Sequence, residues 1–472
     1  MPLLRSSSVV LLLLFASSLC SPLMVHASGP TTRNQSRSTS QASPAKRERA
    51  EELTSMGKRL LDADEFEQAK KMFTASLKLV PSQPYSLIYR SWVSLQLTDY
   101  KAAQRDIKKA IRLAPSIAMA WTTSASINAK QGHAKAARAD VARALELQPT
   151  NVDTLLDCAS VFWLLQDQEG LIKLCNEVLY LDPENASALH TKAMVKVALH
   201  RPSEALADFK TLLALEPDNP VRLINVGNAL METKQLEAAL EMFEKALHIA
   251  PNNITAIFNK AVALGKMRRP AEALPVLDAA LAQRPDERDF LEYRGYLLSQ
   301  LEQYDEALEL YTKILESSPH RYKLRTNRAL LYTEMLRYAE AKKDLKLALQ
   351  DSHDPLIRRN LAWLLATCPD DSVRDGAEGL KLIRSTPALP TSARRQAILA
   401  SALAETGNFD LAIQTMHEAI SLAAISEGNT AECARHNQNI LKSFINHKPW
   451  RSTPTNPDDI ACAKQTDSSD GE

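Results

Sequence analysis

The sequence has few of the residues that catalytic and cofactor-binding sites most often require. It holds only 12 glycines in 472 residues, with no Gly-x-Gly-x-x-Gly, P-loop or His-Glu-x-x-His pattern. Its 57 basic and 56 acidic residues nearly balance, which argues against nucleic acid as the main partner, because phosphate binding needs a concentrated positive field. Its ten histidines show no metal-ligand spacing. We therefore predict no enzyme, no metal site and no cofactor.

The apolar run near the N-terminus, Val9–Ala16, is too short to span a bilayer as a stable anchor. Residues 25–27 (VHA) give the small-residue pattern of a signal-peptidase site. The pattern predicts a signal peptide over residues 1–27, cleaved near Ala27, and hence an exported protein, periplasmic or secreted, without an integral membrane segment after cleavage. A lipoprotein processed at Cys20 is a less favoured alternative, since Leu19 before it is not small, and a retained membrane anchor is another.

A 34-residue period dominates the rest of the chain. Proline returns at this spacing eight times, and proline ends a helix because it lacks an amide hydrogen and clashes with the preceding turn. A 34-residue period is typical of repeats that form one helix–turn–helix unit each. The eight prolines are Pro81, Pro115, Pro149, Pro183, Pro217, Pro251, Pro285 and Pro319.

Two further rows of residues keep the same period, and both suit closely paired helices. Small residues stand at the eighth position of each repeat, where a larger side chain would push two antiparallel helices apart. Apolar residues stand sixteen positions later and fill the space between the helices. The small row is Gly57, Ser91, Ala125, Ala159, Ala193, Gly227, Ala261, Gly295 and Ala329, and the apolar row is Phe73, Ile107, Val141, Cys175, Phe209, Phe243, Leu277, Tyr311 and Leu345.

These rows resemble the tetratricopeptide repeat (TPR) family, with Trp121 at the fourth repeat position as in the family pattern. The resemblance implies an all-α fold, a right-handed superhelical α-solenoid of about nine helix-turn-helix repeats over residues 50–355. Residues 28–49, rich in Ser, Thr and Pro, are predicted to be a disordered linker.

The period breaks after residue 355, but the helical pattern continues. Asn360–Asp371 (NLAWLLATCPDD), followed by Val373–Gly376, resembles a module that closes TPR arrays in many exported or uncharacterised bacterial proteins. Over residues 356–450 we predict degenerate repeats and a capping helix near Ala431–Asn446, because a terminal repeat would otherwise expose an apolar flank. Residues 451–472 are predicted to be a disordered tail.

Cys158 and Cys175 fall on the first and second helices of the fourth repeat, at positions that should face each other. If the protein is exported, a disulfide between them is possible chemistry. The alternative is that both are small apolar core residues, and Cys175 does belong to the apolar row. Five cysteines, including these two, remain after the predicted cleavage. Because five is odd, at least one thiol would be unpaired or would pair between chains.

Asparagine stands at the sixth position of repeats six, seven and nine, with tyrosine there in repeat eight and a further asparagine at the ninth position of repeat six. These positions of the first helices lie on the face that lines the concave groove of TPR arrays. This resembles the asparagine ladder of O-linked N-acetylglucosamine transferases. An asparagine amide both donates and accepts, so the row could bind the backbone of an extended peptide, with its side chains facing solvent. Asparagine is also common at this position in TPR sequences without binding. The predicted residues are Asn225, Asn228, Asn259, Tyr293 and Asn327.

A second candidate surface lies in repeat two, where Tyr85, Tyr89 and Trp92 would face the groove. Exposed aromatic side chains on a concave face can anchor a partner's apolar side chain. Alternatively, an adjacent repeat or the linker covers them. The leading functional hypothesis is a non-catalytic scaffold that binds an extended peptide or a partner protein. The alternative is an accessory subunit of envelope or glycan assembly that recruits a separate enzyme.

Overall fold

The computed structural model describes residues 43–385, 392–425 and 431–452. Within these ranges the chain forms 23 α-helices and no β-strand, which confirms the all-α prediction. The predicted signal peptide, most of the predicted linker and residues 453–472 lie outside the described residues. The helices are α1 Pro44–Asp62, α2 Phe66–Leu79, α3 Pro84–Gln96, α4 Tyr100–Leu113, α5 Ala118–Lys130, α6 Ala134–Leu147, α7 Val152–Leu164, α8 Gln168–Leu181, α9 Ala186–Ala198, α10 Pro202–Leu215, α11 Pro220–Glu232, α12 Leu236–Ile249, α13 Ile254–Lys266, α14 Pro270–Gln283, α15 Arg288–Gln300, α16 Tyr304–Ser317, α17 Tyr322–Glu334, α18 Tyr338–Asp351, α19 Pro355–Thr367, α20 Gly376–Arg384, α21 Ala393–Glu405, α22 Phe409–Ile425 and α23 Ala431–Ile445.

The chain divides into two compact units, one ending at Pro251 and one beginning at Asn252. Within each unit the helices pair in sequence order, each first helix packing on the second helix of its own repeat. From α3 to α18 every first helix has 13 residues and every second helix has 14. The repeat predicted from the proline spacing is therefore a repeat of helix pairs.

Asparagine side chains fix where several first helices begin. In each case the side-chain Oδ1 accepts a hydrogen bond from a backbone N–H in the first turn, at 2.9–3.1 Å, which satisfies a donor that the helix itself cannot. Proline occupies the first turn of other helices, where its missing N–H costs nothing. The capping residues are Asn151, Asn185, Asn219 and Asn253, spaced by one repeat.

The turn inside each repeat contains one residue in the left-handed conformation. In repeat two the N–H of Asp99 donates to the carbonyl of Ser94 at 2.8 Å, and that of Thr98 donates to Leu95 at 3.1 Å, which is a Schellman helix end. Glycine is the usual residue at such a position, yet it appears here only once among nine repeats. The nine left-handed residues are Asp64, Thr98, Gly132, Gln166, His200, Lys234, Arg268, Glu302 and Leu336.

The contact between the small row and the apolar row sets how closely two helices of a repeat approach. A Cβ atom added to Gly57 would lie 2.6 Å from the ring of Phe73, and one added to Gly227 would lie 2.5 Å from Phe243. Every glycine of the small row faces an aromatic ring, and repeat five alone joins an aromatic ring, Phe209, to an alanine. Helix separation in these repeats therefore depends on the absence of a side chain.

An arginine clamp joins adjacent repeats at two places. Arg90 donates two hydrogen bonds to the carboxylate of Asp106, at 2.7 and 2.9 Å, and its Nη1 reaches Thr74 of the preceding repeat at 3.4 Å. Arg328 repeats this geometry with Asp344 and Thr312, at 2.7, 2.9 and 3.2 Å. Both carboxylates are 4% exposed. Such bidentate pairs add orientation as well as energy.

From Pro355 onward the described residues form five helices of the second unit, α19 to α23. Arg374 joins several of their segments: the guanidinium donates to the carbonyls of Cys368 and Pro369, at 2.8 and 2.9 Å, and to Glu405 at 3.0 Å. Glu405 also accepts from Arg451 at 2.7 Å. One arginine side chain therefore binds two carbonyls of the Cys-Pro-Asp-Asp loop.

Two of the predicted boundaries are wrong by a few residues. Helix α1 begins at Pro44, so residues 44–49 belong to the first helix and not to the linker. Proline stands at the first helical position, and the alanine and charged residues that follow it have high helix propensity. At the other end, the N–H of Ser452 donates to the carbonyl of Thr367 at 2.9 Å and the side chain of Arg451 donates to Glu405, so residues 451 and 452 are bound to the preceding helices.

The left-handed turns generate a stability prediction. Leu336→Gly, at φ 59°, should raise the free energy of unfolding by about 0.5–1 kcal/mol. Glycine removes the strain of the left-handed conformation, and its larger conformational entropy in the unfolded state offsets part of that gain. Gly132→Ala is the matched control and should lose about 1 kcal/mol, since nothing lies within 4 Å of an added Cβ and only the backbone resists. Thermal denaturation of both variants measures this, and a lower midpoint for Leu336→Gly would contradict it.

The glycine–aromatic contact generates a second prediction. Gly227→Ala should destabilise repeat six by about 1–3 kcal/mol, because the new methyl group overlaps the ring of Phe243. Adding Phe243→Leu should recover part of the loss, since repeat seven packs Ala261 with Leu277. A double-mutant cycle in urea denaturation measures the coupling. Additive effects of the two substitutions would rule out the contact as the cause.

Candidate peptide-binding surfaces

The predicted asparagine ladder is present on the first helices, but its side chains do not face solvent. Asn225 and Asn228 lie on α11 in the first unit and are 2% and 4% exposed. In the second unit, Asn259 and Asn327 are 4% and 6% exposed. The expectation of a solvent-facing row is wrong.

Enclosure of the first helices explains this burial. On α11 nine consecutive residues, Leu223–Met231, are buried, so the helix is covered on every face. On α13 nine of the ten residues Ala256–Gly265 are buried. A helix packed between neighbours in an array has no free face of the kind that a surface helix shows, and sequence periodicity does not distinguish the two.

Two of the buried amides have an unused donor. The Nδ2 atoms of Asn225 and Asn327 find no hydrogen-bond partner among the described residues. A buried donor without a partner costs free energy, and native structures leave few of them. Asn225 in the first unit and Asn327 in the second therefore each retain a donor that a carbonyl oxygen of a bound chain could satisfy.

Tyr293 has a different environment from the asparagines. Its hydroxyl donates to the carbonyl of Val262 at 3.2 Å, and its ring lies 5.8 Å from Phe258, edge to face. Phe258 also stacks on Phe290 at 4.6 Å, and Tyr296 lies 5.5 Å from Tyr293. Burial raises the pKa of Tyr293. This aromatic group was missed from the sequence, although its members lie on two consecutive first helices.

The aromatic side chains of repeat two are partly covered by repeat one. Tyr89 stacks on Phe73 with ring centroids 5.5 Å apart, and Trp92 lies 6.1 Å from Phe66. Burial raises the pKa of Tyr89 to about 12, so its hydroxyl stays neutral at physiological pH. Tyr85, Tyr89 and Trp92 are half-buried, which leaves part of each ring accessible.

Repeat four presents the more exposed apolar pair. Trp163 and Leu164 are 39% and 38% exposed at the end of α7. They were not predicted from the sequence as candidate binding residues. They occupy repeat positions 12 and 13, which line the groove in TPR arrays, and this placement could have identified them.

The disulfide considered for Cys158 and Cys175 is not formed in the structure. Both are free thiols buried in one hydrophobic cluster of the first unit. Burial raises the pKa of each thiol to about 12, which keeps them protonated and unreactive. In the structure both cysteines are core residues, which was the alternative interpretation.

Two half-buried carboxyl groups were also not predicted from the sequence. Asp157 stands at the sixth position of repeat four and accepts a hydrogen bond from Thr122 at 3.1 Å, and burial raises its pKa to about 7. Glu292 on α15 lies 2.7 Å from Arg321, yet burial outweighs that cation and raises its pKa to about 7. Among the described residues no three His, Cys, Asp or Glu side chains converge on a possible metal position.

The Tetratricopeptide repeat family profile matches residues 92–152, 190–254 and 258–322. These stretches of the chain therefore carry the tetratricopeptide repeat that the period predicted. This fold is typically a non-enzymatic scaffold for protein–protein interaction, and no catalytic family is indicated. No helix among the described residues has the length and apolar character needed to cross a membrane.

Solved structures of similar architecture include yeast Tom70, with 17% identity over 89% of this chain and 99% of that one, at a TM-score of 0.45. A tetratricopeptide repeat protein from Parabacteroides merdae is 18% identical over 56% of this chain and 98% of its own, at 0.41. PilF of Pseudomonas aeruginosa is 16% identical over 45% of this chain and 96% of its own, at a TM-score of 0.37. None of these likenesses says what this chain binds. No curated protein matches the sequence.

The raised pKa of Glu292 generates a pH prediction. Because its folded pKa of about 7 exceeds the ordinary value of 4.5, its favourable contribution is fully present below pH 4.5 and is lost as pH rises through 7. Glu292→Gln should therefore gain stability relative to the wild type between pH 4.5 and 8, by at most about 3 kcal/mol. Glu309→Gln, at an exposed site, is the control. Equal pH profiles for the wild type and Glu292→Gln in urea denaturation would contradict the prediction.

Proposed function

We propose that the protein is a scaffold that binds an extended peptide segment of a partner along the first helices of its repeats. The observation that carries the proposal is the pair of buried, unpartnered amide donors at Asn225 Nδ2 and Asn327 Nδ2. Backbone carbonyls occur at every residue of an extended chain, so they can satisfy such donors whatever the peptide's side chains.

The exposed apolar side chains of the first unit support the same proposal. Trp163 and Leu164 offer a wide apolar contact, and Trp92 adds a partly accessible indole ring. Aromatic residues of this kind contribute a large share of the binding energy in protein interfaces. Backbone recognition by amides and anchoring by aromatic rings together suit a segment that is extended and carries occasional apolar residues.

Burial of the asparagines changes what binding requires. A peptide can reach Asn225 or Asn327 only if neighbouring first helices shift to admit it, because these side chains are almost completely covered. Binding energy must therefore offset this rearrangement, which lowers the observed affinity. The donors then act as the specific contacts of the open state.

The decisive test uses substitutions that keep size and remove the amide. Asn225→Leu and Asn327→Leu together should leave the fold intact, since an apolar replacement of an unsatisfied buried group is close to neutral. Binding to peptides selected by the wild-type protein from a displayed random library should weaken by roughly twofold to tenfold at a site in either unit, as expected for one lost hydrogen bond.

Asn252→Leu, at an exposed loop position, is the matched control and should bind as the wild type does. Circular dichroism checks the fold of each variant. Unchanged affinity in a folded double variant would remove the amides from the mechanism. Capture of one defined enzyme of envelope or glycan assembly from an extract, with no peptide selected from the library, would favour the recruiting role instead.

A further inference from the structure

Helix α4 carries a strip of positive charge that the peptide-binding proposal does not use. Its basic residues recur at helical spacing along one side, while the opposite side, with Ala103, Ile107 and Ala110, is buried. Four of the five cations are exposed and Lys109 is half-buried. We call this strip the basic face, and it consists of Lys101, Arg105, Lys108, Lys109 and Arg112.

The basic face is not neutralised within its own unit. The helix has one acidic residue, Asp106, which is buried and already bound by Arg90 at 2.7 Å. Within the described part of the chain, Lys101, Lys108 and Lys109 form no ion pair, and Arg105 has only a distant one, with Asp106 at 3.9 Å. On α2, the second helix of the preceding repeat, Lys71 and Lys78 are exposed and add further positive charge. A concentrated cationic surface of this kind attracts an anionic partner.

The chain itself carries an anionic strip of matching dimensions on α16, in the second unit. Asp305, Glu309 and Glu316 stand at the same repeat positions as Lys101, Arg105 and Arg112 on α4, so both strips extend over twelve residues, about 16 Å of helix from the first Cα atom to the last. All three carboxylates are exposed, and none of them forms an ion pair among the residues described. With the neighbouring Glu306 they form the acidic face.

We propose that the basic face is a docking surface for a second copy of this chain, and that the acidic face of that copy occupies it. The match of sign and spacing favours this occupant over a general anion. In a parallel arrangement Lys101, Arg105 and Arg112 oppose Asp305, Glu309 and Glu316. In an antiparallel arrangement Lys101, Lys108 and Arg112 oppose Glu316, Glu309 and Asp305. Either orientation pairs three cations with three carboxylates.

The proposed interface joins two different patches, so each copy that docks leaves its own unused face available. Association of this heterologous kind continues into rings or open chains of copies and does not stop at a dimer. The contacts are exposed ion pairs, which are individually weak and screened by salt. The assembly should therefore form at low ionic strength and high protein concentration, and dissolve as salt is added.

Sedimentation velocity of the full chain tests the proposal with three charge variants. The first replaces Lys101, Arg105 and Arg112 with glutamate, and the second replaces Asp305, Glu309 and Glu316 with lysine. Each alone should remain monomeric at about 20 mM salt, where the wild type grows in mass with concentration, and about 0.5 M salt should return the wild type to monomer. An equimolar mixture of the two variants should associate again, because opposite faces are restored between them.

The matched control replaces Arg284, Arg288 and Lys381, exposed cations outside the basic face, with glutamate and should associate as the wild type does. Circular dichroism confirms that each variant is folded, as expected for exposed sites. A wild type that stays monomeric at low salt overturns the proposal. So does binding of that monomer to anionic phosphatidylglycerol vesicles through the basic face, which would assign the surface to a lipid headgroup. Association that survives reversal of either face also overturns it.

Discussion

The close approach of two antiparallel helices within each repeat is the constraint on which the rest of the structure depends. It is set by one contact, between a residue with little or no side chain and a large apolar side chain sixteen positions later. Where the first residue is Gly57 or Gly227, an aromatic ring occupies the space that a Cβ atom would take. The helix pair then becomes a rigid unit that can be stacked, and stacking encloses the first helices.

That enclosure determines how the polar residues of the array behave. Asn225 and Asp157 both stand at the sixth repeat position, yet one keeps an unused donor and the other has a pKa raised to about 7. Both effects have the same origin, since removal from water penalises an unpaired donor and a charged carboxylate alike. Polar positions that resemble a binding surface in the sequence thus become interior positions with perturbed chemistry. The arginine clamps of Arg90 and Arg328 show the opposite solution, in which a buried carboxylate is fully paired.

The sequence predicts the repeat far better than the site. Regularly spaced prolines and small residues identify helix ends and helix contacts because each has a local physical cause that its residue type reveals. The left-handed turns were not predicted, since residues such as Thr98 and Leu336 occupy positions where glycine would have been recognised. The predicted solvent exposure of the asparagines was wrong for another reason. Whether Asn225 is exposed depends on which helices pack against it, and the local sequence pattern does not reveal those tertiary contacts. The start of the first helix was predicted too late because residues 28–49 were treated as one segment on their composition, although residues 44–49 are helical.

The left-handed turns have a consequence for the order of folding. A non-glycine residue at positive φ has no local preference for that conformation, so in eight of the nine repeats the turn is imposed by the packing of the two helices that it joins. An isolated helix–turn segment would rarely adopt it. We therefore expect each turn to become fixed as its two helices pair. Refolding rates of turn variants, compared with their unfolding rates, would place that event on the folding pathway repeat by repeat.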